Sequence, residues 1–288
     1  MINTKVINGI IADYRDYPFF GILYIDNFSS CGCSYIGGPY NAVITAAHCL
    51  VDENGFPLDK SQLKVGFLQS RVSIPNLMYT VSKVIIHPYY DYSTFDYDIA
   101  ILYLSTKPDV AVKPLKIPSR EQSLEFVKPS KPAEIIGFGL TCVNCNIKTF
   151  SQNNLLNPKN GISADDIIEN FNHRKNKSTP VYPQIMRKGL INMVSKTPSK
   201  YNLYSSEKIT SRMILAGKFN VYINPNDNVD SCFGDSGGPL LHKFNGRYQL
   251  IGLVSWGKGC ALTGYPGVYT YVSYFRNWIK KTTNLTYL

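Results

Sequence analysis

The densest chemistry in this sequence lies in Asp230-Ser231-Cys232-Phe233-Gly234-Asp235-Ser236-Gly237-Gly238-Pro239, where a serine sits between glycines. Glycines on both sides let the backbone turn tightly, so that successive N–H groups can point at one spot beside the Ser236 hydroxyl. Such a spot stabilises an oxyanion. Two other segments set a histidine or an aspartate among mostly apolar neighbours: Thr45-Ala46-Ala47-His48-Cys49 and Tyr97-Asp98-Ile99-Ala100-Ile101-Leu102. None of the three is diagnostic alone. A Gly-rich serine loop can be an ordinary turn, and an isolated His or Asp is more often structural than catalytic.

With the three segments in the chain order His, Asp, Ser, the sequence resembles the chymotrypsin and trypsin family of serine peptidases. The likeness runs from Val6 to about Ile279, broken mainly over 142–183. It implies roles rather than deriving them: Ser236 as nucleophile, His48 as general base and then acid, and Asp98 as the buried carboxylate that orients the imidazole. The N–H groups of Gly234 and Ser236 would form the oxyanion hole. Ser255, just before Trp256, matches a serine that supports the aspartate in the family. Asp230, six positions before Ser236, matches the trypsin-type residue at the base of the primary pocket. Gly257 and Gly267 match the pocket-wall glycines that leave room for a long side chain, and Trp256 belongs to the same substrate-binding set. A carboxylate there would pair with a guanidinium or ammonium. The implied reaction is hydrolysis of peptide bonds after Arg or Lys through an acyl-enzyme.

The segment Val6-Ile7-Asn8-Gly9 resembles the family's mature N-terminus and directly follows Lys5. The expectation is that Met1–Lys5 is a short activation peptide or leader remnant. Cleavage after Lys5 would free an ammonium at Val6 to pair with Asp235. Cys31 with Cys49, and Cys232 with Cys260, match family bridges that brace the histidine loop and the primary pocket. Cys33, Cys142 and Cys145 match none, and seven cysteines leave at least one thiol free or intermolecular. The Cys142-Val143-Asn144-Cys145 spacing lacks a second pair at metal-ligand spacing, so no metal is expected. The Val65–Tyr79 loop contains no Asp or Glu, so no calcium site is expected either. Pro266 matches members without sodium activation, and Phe138 replaces the Trp of a Gly-Trp-Gly motif. No cofactor is expected.

Short β-rich runs must position these residues: Leu63 to Ile74, Tyr79 to Ile86, Ile99 to Leu104, Ala133 to Phe138, Tyr248 to Trp256 and Val268 to Val272. Their spacing between turn residues reads as all-β, a sandwich or a pair of barrels. The resemblance narrows this to two six-stranded antiparallel β-barrels with the active site between them and a C-terminal helix. Helical periodicity is clear only near the end, where Val272, Phe275, Trp278 and Ile279 recur over 272–283. The Pro- and Lys-rich segment Val110–Lys131 has little periodicity and reads as the connection between halves. The expected organisation is therefore a leader over 1–5, barrel one over about 6–118, barrel two over about 130–271, and the helix. The polar stretch 142–183 reads as a surface insertion in which only Ile162–Phe171 hints at a helix.

The net charge of +10 and pI near 9.1 would suit an anionic partner, but the basic residues are spread along the chain rather than gathered in a stripe. A nucleic-acid partner is not expected; protein or peptide substrates and proteinaceous inhibitors are, acting on a monomer. No stretch is apolar enough to span a bilayer. Seven cysteines and the sequons at Asn27, Asn176 and Asn284 fit a secreted protein, although Met1–Lys5 lacks the apolar core of a secretory signal. His87, His173 and His242 lie outside the three motifs and read as structural or exposed. Two rivals remain open: a protease-like binding protein without activity, and a basic protease anchored to polyanions.

Overall fold

The computed structural model describes residue 6 and residues 8–68, 77–138, 186–218, 228–231 and 234–288. Lys5, Cys142, Cys145, His173, Asn176, Cys232 and the whole 142–183 stretch lie outside the described residues, as does 69–76 of the Leu63–Ile74 run.

Six strands close the first barrel: β2 (Phe20–Ile25), β3 (Phe28–Gly37), β4 (Ala42–Thr45), β5 (Leu63–Phe67), β6 (Leu77–Ile86) and β7 (Ala100–Leu104), in the order β2-β3-β4-β7-β6-β5. The hairpin β2–β3 turns on Asp26 and Asn27, both at positive φ, as a two-residue turn matched to the strand twist requires. Leu23, Val43, Val65, Phe67, Ala100 and Leu102 fill the interior. One register matters most for function. Thr45 lies opposite Ala100, so the chain leaving β4 toward His48 runs beside the chain that carries Asp98 into β7.

The second barrel closes through β8 (Pro132–Gly137), β9 (Arg187–Val194), β10 (Met213–Gly217), β13 (Gly267–Tyr271), β12 (Arg247–Trp256) and β11 (Pro239–Phe244), which returns to β8. The short β1 (Ile10–Ile11) adds to the edge of β9. Because β11 begins at Pro239 and pairs with β12 at Leu253, the serine loop, Ser255 and the start of β13 meet at one end of the barrel. A shared core joins the barrels: Phe20, Ile36, Ile44 and Ile101 of the first pack in one cluster with Ile136, Leu241, Leu250 and Leu253 of the second.

The C-terminal expectation holds with one refinement. A 3-10 turn over Val272–Phe275 leads into α2 (Arg276–Thr283), whose Ile279 is fully buried in the shared core. The Val110–Lys131 connection departs from expectation, because it contains helix α1 (Arg120–Phe126). Its signal is local: the Ser119 hydroxyl accepts from the Gln122 N–H while the Gln122 side chain accepts from the Ser119 N–H, a capping box that a search for apolar periodicity overlooks. No helix among the described residues is long and apolar enough to cross a membrane.

Candidate active site

His48 sits in a 3-10 turn, Ala47–Leu50, directly after β4. The Cys31–Cys49 disulfide ties that turn to β3. Asp98 grips the histidine twice: its Oδ1 accepts from the His48 backbone N–H at 2.9 Å and its Oδ2 lies 2.8 Å from His48 Nδ1. The carboxylate is wholly buried while 16% of the imidazole side chain is exposed. Burial pulls the His48 pKa down, but the charge and hydrogen bond of Asp98 outweigh it and leave the pKa raised. With Nδ1 donating to Asp98, Nε2 is left as the basic nitrogen.

Barrel two holds Asp98 from the other side. Ser255 Oγ donates to Asp98 Oδ2 at 2.5 Å. Thr270 Oγ1 donates to the Asp98 carbonyl at 2.6 Å. Nothing in the local sequence marks Thr270, an ordinary β-branched strand residue that only barrel packing brings here. Cys31, His48 and Cys49 place three donor atoms within 4.8 Å of one another, but both sulfurs belong to the disulfide and neither is a thiolate ligand.

Ser236 lies on a turn wedged between the barrels, partly exposed. Its carbonyl accepts from the Gly32 N–H at 2.7 Å, and the Gly237 N–H donates to Val254 at 2.8 Å, so one loop is pinned to both halves. Gly237 adopts φ +71°, and a Cβ there would lie 2.1 Å from Thr45 Oγ1 and 2.7 Å from the Gly32 carbonyl. Only glycine allows that approach. Among the described residues no acceptor takes the N–H of Gly234 or Ser236, leaving both donors available to a ligand. Asp235 is buried, with Gly137 so close that a Cβ on it would collide with the carboxylate. Val6 is also buried, packed in the barrel-two core with Ile135 and Val229. A shallow groove lined by Phe20, Ile22, Tyr24, Cys31 and Phe138 among others reaches Gly234.

Asp230 is 2% exposed. Its Oδ1 accepts from the Ser231 N–H and its Oδ2 from the Ala261 N–H, each at 2.9 Å. Among the described residues no cationic side chain pairs with it. Burial pushes its pKa up to about 7, the two backbone hydrogen bonds resist, and the nearby charge of Asp235 adds to the rise. Gly267 approaches Asp230 Oδ1, where a Cβ would sit at 2.9 Å, whereas among the described residues a Cβ on Gly257 would meet only the Gly259 carbonyl within 4 Å. Asn228, which sequence reasoning missed, links the Ala261 segment to the N-terminal one: its Nδ2 donates to Ala261 O, and its own carbonyl accepts from Asn8. Trp256 stacks edge-on against Tyr204, at 5.2 Å.

Cys260 is in a disulfide whose partner lies outside the described residues, and Cys33 is a free, buried thiol whose pKa burial drives up. His87 packs among the rings of Tyr89, Tyr97, Phe275 and Trp278, where burial lowers its pKa to about 4. His242 stacks on Phe126. Neither histidine reaches the Asp98 site.

Comparison with known proteins agrees with this geometry. The chain is 30% identical over 286 residues to the bovine (Bos taurus) suppressor of tumorigenicity 14 protein homolog, covering 96% of this chain and 28% of that protein. It is 29% identical to human (Homo sapiens) transmembrane protease serine 11A, covering 98% of this chain and 56% of the relative. To mouse (Mus musculus) transmembrane protease serine 11C it is 30% identical, covering 98% and 54%. The chain thus spans little more than half the length of these relatives at most. Residues 6–157 and 157–279 match the family described as Trypsin, and since that match runs nearly end to end, the chain belongs to the trypsin family.

Proposed function

We propose that the protein is a serine endopeptidase that cuts after Arg or Lys. The observation that carries the specificity is Asp230: a buried carboxylate held by two backbone N–H groups, with no cationic side chain paired to it among the described residues. Burying a charge without a partner is costly, and a substrate guanidinium or ammonium supplies the partner. The lack of a side chain at Gly267, where a Cβ would crowd Asp230, and at Gly257 supports room for a long substrate side chain.

In this reading His48 Nε2 takes the proton of Ser236 Oγ as that oxygen attacks the carbonyl carbon of the scissile peptide. Asp98 stabilises the imidazolium that results. The free N–H groups of Gly234 and Ser236 receive the developing oxyanion. The imidazolium then gives its proton to the leaving amine, and a water repeats the sequence to release the acid. The second carboxylate, Asp235, takes no part in proton transfer; it receives the ammonium of Val6 once the bond after Lys5 is cut, which orders the serine loop. The buried seat of the Val6 side chain supports that role. The Cys31–Cys49 disulfide supports an oxidising, extracellular setting.

The test is to treat the purified chain with a trace of trypsin, confirm Val6 as the new terminus by mass, and incubate the product with a peptide library. Cuts confined to the carboxyl side of Arg and Lys are expected, with labelling by a serine-directed phosphonate rising after cleavage. Cuts spread over apolar residues would overturn the specificity. Full labelling of the uncut chain would overturn the activation step.

A further inference from the structure

The loop that carries Asp98 is strained next to the site. Phe95 and Tyr97 both adopt φ +56°, a left-handed conformation that costs a non-glycine residue about 1–2 kcal/mol. The Phe95 ring meets the His48 ring edge-on at 5.6 Å, and Asp98 follows Tyr97 directly, so relaxation of this segment would be felt at both members of the pair. A strained segment persists only where its surroundings hold it.

Asp96, between the two strained residues, is what the other barrel holds. Its Oδ1 and Oδ2 accept from Arg212 Nε at 2.7 Å and Nη2 at 2.6 Å, a two-point clamp, and its Oδ1 also accepts from Thr210 Oγ1 at 3.1 Å. Thr210 and Arg212 lie just before β10 in barrel two and Asp96 just before β7 in barrel one, so this pair joins the two barrels. The same guanidinium lies 4.6 Å from the Tyr97 ring centroid, and that ring in turn stacks on His87 at 4.9 Å. Both side chains of the pair are largely buried, 21% and 16% exposed, so solvent weakens it less than a surface ion pair.

We propose that Arg212 is a positioning residue for catalysis: by clamping Asp96 and covering Tyr97 it holds the strained Phe95–Tyr97 segment, and thereby sets Asp98 against His48. Ser255 and Thr270 fix Asp98 itself, whereas Arg212 fixes the chain that delivers it. A planar two-point donor suits this task, because it fixes orientation as well as distance.

The proposal rests on the endopeptidase reading, so the test has one readout that needs no turnover. In the full chain, the proton between His48 Nδ1 and Asp98 is followed by its downfield NMR resonance. After trypsin treatment, kcat and KM are measured well below the unfolding temperature. Arg212→Met and Asp96→Asn are each expected to shift or broaden the resonance. Each should also lower kcat by about ten- to a hundredfold, the scale of one charge-assisted hydrogen bond, with KM changed less than about twofold. The double variant should be no worse than either single one, and Arg212→Lys, which keeps the charge but not the fork, should recover part of kcat. If Arg212→Met proves unfolded, Asp96→Asn and Arg212→Lys carry the same readouts. A normal resonance and kcat in these variants, with only the unfolding temperature lowered, would make the pair a simple brace and overturn the proposal. An inactive wild type with a normal resonance would count against the endopeptidase reading instead.

Discussion

Asp230 predicts an unusual dependence of substrate choice on pH. Burial raises its pKa to about 7 from an ordinary carboxylate value near 3.8, so ionising it in the unbound enzyme costs on the order of 4 kcal/mol. Below about pH 7 the group is protonated and offers no charge to an arginine; above it the carboxylate is ready and a guanidinium relieves its isolation. His48, whose pKa is also raised above 6.5 by Asp98, must lose its proton over the same acid limb before it can act as base. For an Arg substrate, log kcat/KM should therefore rise with a slope approaching two as pH increases toward 7, because two protons must leave. A Phe or Leu substrate needs only His48 deprotonated and should show a slope near one. Under saturating Arg substrate the bound cation lowers the Asp230 pKa, so kcat should report His48 alone. The assay is initial rates on matched Arg and Leu peptides from pH 5 to 9, repeated with Asp230→Ser. That variant should lower kcat/KM on Arg peptides by roughly 10² to 10⁴, the cost of breaking a buried ion pair, and leave a slope near one. Equal slopes for the two substrates, or equal losses on both in the variant, would refute the reasoning and put Asp230 outside the substrate pocket.

Ser236→Ala should abolish turnover, a loss on the order of 10⁶ in kcat, with the fold unchanged by circular dichroism. Asp98→Asn should cost about 10⁴ in kcat, the scale known for this family, because an amide at the 2.8 Å contact favours the wrong imidazole tautomer. Gly237→Ala should lower kcat at least about tenfold in a folded protein, since the new Cβ would strike Thr45 Oγ1 and the Gly32 carbonyl at a positive φ. Replacing Cys31 and Cys49 together by Ser removes a crosslink between residues 18 apart, worth about 3 kcal/mol, and should lower Tm by roughly 6–12 °C in a calorimetric scan.

Contiguous residues were enough to mark out those parts of the site whose chemistry lies in one short segment. The serine loop needs glycines to turn and was legible as a local pattern, whereas His48, the cysteine beside it and Asp230 were legible through the family resemblance that their segments carry. The C-terminal helix was legible too, because an amphipathic face repeats within a few turns. Helix α1 was missed for the opposite reason: seven residues are too few for a period to emerge, and its mark is a capping box rather than an apolar stripe. How the barrels meet depends on contacts between residues far apart in the chain. Thr270, Asn228 and the Asp96–Arg212 pair act across 172, 33 and 116 residues of chain, through contacts between side chains whose types are unexceptional in their own strands and loops. Local pattern cannot register such contacts, since the register of β4 on β7 and the closure of β8 on both β9 and β11 must exist before those atoms come within reach. The raised pKa of Asp230 belongs to the same class, because desolvation is a property of everything packed around the carboxylate and not of the residues beside it in the chain.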